Sequence, residues 1–210
     1  MNTQTVKTIT LLRHGISTAN YEGIAQGQQD YPLHSLGIEQ AERLATYWKN
    51  THQEFEQIIT SPLKRARDTA RIIGAALSIP ILEDPQWVER NFGEGEGLTY
   101  EQIEEMFSSQ KVRWTNFEPI FVNSETEQDL IERASVGIDS LLELDTSNLL
   151  LVSHGGILNA ALCSILGIPL SKSTRPPGFA FDNTGYTRLI YHEKTTRWII
   201  RFHNASPHLE

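Results

Sequence analysis

The stretch Thr8–Asn20, TITLLRHGISTAN, decides how the rest of the chain is read. Its apolar run Ile9-Thr10-Leu11-Leu12 has the length and character of a short buried strand. The run stops at Arg13-His14-Gly15, and Ser17, Thr18 and Asn20 follow. In sheets of parallel strands, ligands bind beyond the carboxyl ends of the strands. The residues here suit phosphate: a guanidinium fork for its oxygens, an imidazole that can attack phosphorus, and a glycine that lets backbone approach closely. An isolated R-H-G reads far more readily as a strand end followed by a polar turn. A second stretch of the same design, Leu149–Gly156, LLLVSHGG, argues for the functional reading: another apolar strand runs into His154 and a glycine pair. Two strand-end histidines in one chain of 210 residues ask for a common explanation.

The composition, 39% hydrophobic and 21% charged, is that of a globular protein, and the length suits one domain over residues 1–210. A net charge of -8 argues against a dedicated nucleic-acid binder, which carries a basic excess. Arginines focused in a cleft still bind phosphate locally. The single cysteine, Cys163, cannot form an internal disulfide, which points to a reducing compartment, and its apolar surroundings mark it as a core residue. No apolar run is long enough to span a bilayer, and the start, MNTQTVKT, lacks a signal-peptide pattern. A cytoplasmic protein with neither membrane nor nucleic acid as partner is expected, as a monomer or homodimer. Pro207–Glu210 reads as a tail, with Leu209-Glu210 set aside as a cloning remnant.

Along the chain, Tyr21–Leu33 reads as a loop. A helix is expected from Ser35 to Asn50, burying Ile38, Ala41, Leu44, Ala45 and Trp48. QIIT, ending at Thr60, is a second short strand, and Ser61-Pro62 has the cap and first-position proline of a helix whose inward face is Leu63, Ala66, Ala70, Ile73 and Leu77. A third strand is expected at Ile79–Leu82. Asp84–Asn123 changes texture: a glycine-punctuated loop, a short acidic helix capped by Thr99, and an aromatic irregular stretch. It reads as an insertion, a cap over the active edge of the sheet. A long helix over Glu125–Leu144 leads to the strand Asn148–Val152, and a helix from Gly156 to Leu166 follows. Phe179–Phe202 alternates in strand fashion around turns at Asn183–Gly185 and Glu193–Thr196. Strands alternating with helices imply an α/β fold, a three-layer α/β/α sandwich whose central sheet is mostly parallel with a late antiparallel strand or two.

Two further residues join the histidines. Arg65 lies in the first turn of a helix, where the dipole disfavours a cation unless an anion sits nearby. Glu89 precedes the glycine-rich loop, and a phosphate ester needs a proton for its leaving oxygen, so an acid must accompany the nucleophile.

With these residues in hand, the chain resembles the histidine phosphatase superfamily in its phosphoglycerate-mutase-like branch. The matching stretches are RHGISTAN at Arg13–Asn20, QGQQDYPL at Gln26–Leu33, SPLKRARDTA at Ser61–Ala70, VERNFGEGEGL at Val88–Leu98 and SHGG at Ser153–Gly156. The resemblance implies that His14 is the nucleophile of a phosphohistidine intermediate, that Arg13, Arg65 and His154 clamp the phosphoryl oxygens, and that Glu89 is the acid that later activates water. It implies that Ser17, Asn20, Gln26, Gly27 and Gly155 belong to the substrate pocket, that Asn183-Thr184 buttresses it unless it is a simple turn, and that no metal or cofactor is needed. Ile16, Ile24, His34 and Gly185 depart from residues common in the family and bear on substrate preference. The implied activity is a metal-independent phosphomonoesterase acting on a small phosphorylated metabolite.

Phosphoglycerate-mutase-type phosphoryl transfer is the alternative. Mutases carry a longer insertion rich in basic residues, whereas this one is short, with Arg90, Lys111 and Arg113 beside Trp114, Phe117 and Phe121. A non-catalytic phosphate-binding protein and a zinc site of His14, His154 and Glu89 are the other readings weighed. His52, His192, His203 and His208 read as surface residues, and Arg175 as part of a turn near the pocket mouth.

Overall fold

The computed structural model describes residues 6–109, 111, 115–172 and 176–210, so the readings of Arg113, Trp114 and Arg175 fall outside the described residues. The strands are β1 (Val6–Arg13), β2 (Gln57–Thr60), β3 (Ile81–Glu83), β4 (Asn148–Ser153), β5 (Tyr186–His192) and β6 (Arg197–Ala205). They form one sheet in the order β3-β2-β4-β1-β5-β6. The first four are mutually parallel, and β5 and β6 add antiparallel at one edge.

The helices are α1 (Thr18–Glu22), α2 (Ser35–Asn50), α3 (Lys64–Leu77), α4 (Tyr100–Ser108), α5 (Glu127–Glu143) and α6 (Gly155–Ile165). α2 and α3 cover one face of the sheet, and α5 and α6 the other. The β4 run NLLLVS is continuously apolar for this reason. Leu149 and Leu151 enter the core under α5 and α6, while Leu150 and Val152 enter the core under α2 and α3. All four are fully buried, each contributing roughly 1.5–3 kcal/mol relative to an exposed side chain. The three-layer α/β/α arrangement read from the sequence is the arrangement observed.

Local departures have local causes. Thr18–Glu22 is a helix where only polar residues and a loop were read, because Ser17 and Asn20 form a reciprocal capping box. α2 is capped by His34, whose Nδ1 accepts from the Leu36 N–H, and Ile38 is exposed. Gly37 takes its place in the interface, because the first turn of α2 lies so close to the Ile16 backbone that a Cβ would sit 2.0 Å from the Ile16 carbonyl oxygen. α3 begins at Lys64 with no side-chain cap rather than at Ser61-Pro62; the Ser61 hydroxyl accepts from the Leu63 N–H at 3.3 Å ahead of the helix and also faces His154. β3 starts two residues later and ends one later than expected, and it lies exposed on the sheet edge.

The C-terminal residues are part of the structure, not a free tail. Pro207–Leu209 form a single helical turn that packs against α2, and His208 is buried, contrary to its reading as a surface residue. The Thr184 hydroxyl donates to the Asn183 carbonyl at 2.7 Å, so it accepts from His208 Nε2–H at 2.8 Å. Burial, reinforced by Arg43, pushes the His208 imidazole down to about 4.

A histidine that resists protonation in the folded state contributes stability that is complete above its unfolded pKa of about 6.5. That contribution is lost as pH falls from there towards about 4, because the unfolded chain takes up the proton first. The thermal midpoint is therefore expected to fall between pH 7 and pH 5, and His208→Gln to make that fall shallower while lowering the midpoint at pH 7. Identical pH slopes for the two proteins in thermal unfolding would refute the assignment.

Candidate active site

Parallel pairing of β1 with β4 sets Arg13 opposite Ser153 and therefore His14 beside His154. The His14 N–H donates to the Ser153 carbonyl at 3.0 Å, and the two imidazoles meet edge-on with centroids 5.0 Å apart. The histidines, 140 positions apart in the chain, thus become neighbours through ladder register alone.

His14 is 2% exposed. Its Nδ1 lies 2.7 Å from the Gly15 carbonyl oxygen, which can only accept, so Nδ1 carries the proton and Nε2 keeps its lone pair. Burial, then the Arg65 and Arg13 guanidinium groups, hold this imidazole well below its ordinary pKa against the opposing Gly15 hydrogen bond. It is neutral at physiological pH. The backbone beneath it is fixed by the loop before β5: Asn183 Nδ2 and the Thr184 N–H both donate to the His14 carbonyl. That placement makes the Asn183-Thr184 turn a support of the site.

Arg65 is 1% exposed. Its Nη1 and Nη2 donate to the Gln29 and Gly27 carbonyls at 2.8 Å each, and its Nε donates to His154 Nδ1 at 3.1 Å. Burial brings it down to about 10, so it remains charged at neutral pH. Gly27 permits the loop its course: φ is +49°, and a Cβ there would lie 2.0 Å from the Glu96 carboxylate. Arg13 Nη1 donates to the Phe181 carbonyl at 2.6 Å, while the buried Nε has no partner.

His154 accepts from Arg65 through Nδ1 and therefore presents Nε2–H to the Ser61 hydroxyl at 2.8 Å. Both ring nitrogens are thus committed to protein groups, and the ring stands behind the cavity wall. Arg65 thus sets this tautomer, and Ser61, read from the sequence as a helix cap, receives its Nε2–H.

Glu89 sits at the N-terminus of α6. Its carboxylate accepts from the Gly156 and Ile157 N–H groups at 3.0 Å each and from the Arg90 N–H at 2.8 Å. The second glycine of SHGG is required by this contact, since a Cβ on Gly156 would lie 2.5 Å from a Glu89 oxygen.

A cavity of about 70 Å³ is enclosed by Arg13, His14, Asn20, Ala25, Gln26, Gly27, Arg65, Glu89, Phe92 and Tyr100. That is roughly twice the liquid volume of one water molecule. The structure thus brings Arg13, His14, Arg65, Glu89, Asn20, Gln26 and Gly27 to one cavity. Ser17 lies outside it, donating to the Gln26 amide oxygen at 2.7 Å, and Gly155 packs beneath the Arg13 guanidinium. Phe92, Tyr100 and Ala25 were not anticipated; Ala25 and Tyr100 come together because the backbones of Gly23–Ala25 and Gly97–Tyr100 hydrogen-bond to each other. Among the described residues, no group of histidine, cysteine, aspartate or glutamate is arranged to hold a metal ion, the His14, His154 and Glu89 trio included.

The family model for the histidine phosphatase superfamily (branch 1) matches residues 9–205. A Bacillus subtilis protein named uncharacterized phosphatase PhoE is 30% identical over 203 residues, covering 96% of this chain and 96% of its own. A Yersinia pestis protein named probable phosphoglycerate mutase GpmB is 33% identical over 209 residues, covering 96% of this chain and 94% of its own. The solved structure of a mycobacterial glucosyl-3-phosphoglycerate phosphatase in complex with VO3 superimposes with a TM-score of 0.81 at 26% identity, covering 95% of this chain and 100% of its own. With a family model spanning almost the whole sequence and relatives alike along their full length, the chain belongs to the histidine phosphatase superfamily, branch 1.

Proposed function

We propose that this protein is a phosphomonoesterase that works through a phosphohistidine on His14, with no metal or cofactor. The observation that carries the reading is the His14 tautomer. Donation of Nδ1–H to the Gly15 carbonyl leaves Nε2 as an unprotonated nucleophile in a cavity that also holds two guanidinium groups and one carboxyl group. In the first step the Nε2 lone pair attacks phosphorus and the ester P–O bond breaks. The electron pair of that bond goes to the leaving oxygen, which takes its proton from Glu89. In the second step Glu89 accepts a proton from water, the water oxygen bonds to phosphorus, and the P–N bond breaks to return the pair to Nε2. Phosphoryl transfer of this kind depends on positioning and on neutralising oxygen charge. Arg13, with its unpartnered Nε, and Arg65 supply that charge. His154 acts from behind, holding Arg65 Nε rather than reaching the phosphoryl oxygens itself.

The enclosed volume suits the phosphoryl group, so the alcohol portion of the ester lies at the mouth between Phe92 and Tyr100, under the segment 84–123 acting as a cap. The mycobacterial relative solved with VO3, a phosphate-like oxoanion, supports an anion site of this size. A mutase reading is favoured by the likeness to the Yersinia protein. Against it stands Arg90, the basic residue next to Glu89. Its guanidinium is paired with Glu127 at 2.9 Å in a buried site and does not line the cavity, so it is not placed to receive a substrate carboxylate.

Phosphate release from a panel of phosphomonoesters in EDTA is expected for the wild-type protein, with His14→Ala reducing it by about 10³-fold or more. Interconversion of phosphoglycerate isomers from a bisphosphate primer, without free phosphate, would instead establish the mutase. Gly156→Ala is expected to leave the thermal midpoint nearly unchanged, because the side-chain tip of Glu89 can move aside. Its displacement of that carboxylate lowers kcat by about 100-fold. Wild-type turnover in Gly156→Ala would remove Glu89 from the reaction.

A further inference from the structure

Arg133 lies on α5, outside the cavity and behind the loop that carries Glu89. All five of its guanidinium N–H donors are occupied. Nε and Nη2 grip the two Glu125 carboxylate oxygens at 2.8 and 2.9 Å. Nη1 donates to the Gln86 carbonyl at 2.7 Å and the Val88 carbonyl at 2.9 Å, and Nη2 donates to the Glu89 carbonyl at 3.3 Å. Glu125 ties down the far side of the same loop, its carboxylate accepting from the Asn91 N–H and its own N–H donating to the Asn91 carbonyl. One ion pair therefore holds the backbone on both sides of Glu89. The five-donor planar fork is specific to arginine; a lysine ammonium offers three donors from one point and cannot reach three carbonyls and a carboxylate together.

We propose that Arg133, clasped by Glu125, is a positioning residue for Glu89: it sets the height of the loop so that the carboxyl group meets the leaving oxygen, and it touches no substrate. The proposal rests on the reading of Glu89 as proton donor given above. The carboxylate tip is already anchored on α6 through Gly156 and Ile157, so its backbone must arrive at a matching position for the side chain to reach. Arg133 supplies that second anchor. A misplacement near 1 Å costs on the order of 100-fold in rate.

The test compares kcat/KM on two esters. An alkyl phosphate needs a proton on its leaving oxygen, whereas p-nitrophenyl phosphate releases a stable phenolate without one. For Arg133→Lys and for Glu125→Gln, losses of about 10–100-fold on the alkyl ester and under about 3-fold on the nitrophenyl ester are expected. In a Glu89→Gln background Arg133→Lys is expected to cost nothing further on the alkyl ester, because both changes remove the same contribution. Equal losses on the two esters, or an additive loss in the double variant, overturn the proposal in favour of a purely structural ion pair. Should Arg133→Lys fail to fold, Glu125→Gln, which retains the guanidinium, decides alone. A Glu89→Gln loss that is equal on both esters is a separate result, and it overturns the acid role rather than the placement by Arg133.

Discussion

The register of one strand pair carries the site. Arg13 opposite Ser153 in the β1–β4 ladder places His14 and His154 side by side at the carboxyl edge, where β1 hands over to a loop and β4 to α6. A slip of one residue would turn every side chain of β4 to the other face, exchanging Leu149 and Leu151 with Leu150 and Val152 between two filled cores. The burial that stabilises the sheet is therefore what aligns the histidines. The site takes its accuracy from the core and needs no dedicated bond between the two rings.

Having fixed the histidines, the fold surrounds them with charge that it has withdrawn from water. Arg13 and Arg65 both lose affinity for their protons chiefly through burial, and Arg65 nevertheless stays cationic at about 10. Burying such groups is tolerable because each donates to backbone carbonyls, from Phe181, Gln29 and Gly27. The same two cations, added to burial, keep His14 neutral. One arrangement thus sets two guanidinium groups and an uncharged imidazole at one cavity.

The carboxyl group of the cavity arrives differently. Glu89 comes from a loop with little regular structure, and its position is assembled from outside: α6 holds the carboxylate, Arg133 and Gln28 hold its carbonyl, and Ser153 Oγ donates to the Trp87 carbonyl. Bonds from four separate segments fix a stretch whose regular structure is limited to the single turn Pro85–Trp87.

Much of this was legible in the residues themselves. The continuous apolar runs before His14 and His154 declared two buried parallel strands, because only strands covered on both faces lack polar alternation. Arg13, Arg65 and Glu89 could be singled out as candidates because phosphate chemistry needs cations and an acid, and the structure places all three at one cavity with His14. What the sequence could not contain is anything that depends on which distant group reaches a side chain. Ser61 looked like a cap until His154 came to face its hydroxyl, His208 looked like a tail residue until Thr184 covered it, and no local pattern marks Arg133. Local pattern determined the strands, most of the helices and the reactive residue types, since these follow from neighbours a few positions away. The His154 tautomer, the partners of the buried arginines and the hold of Arg133 on the loop of Glu89 were decided by the tertiary structure alone, because each is a contact between residues separated by tens to more than a hundred positions.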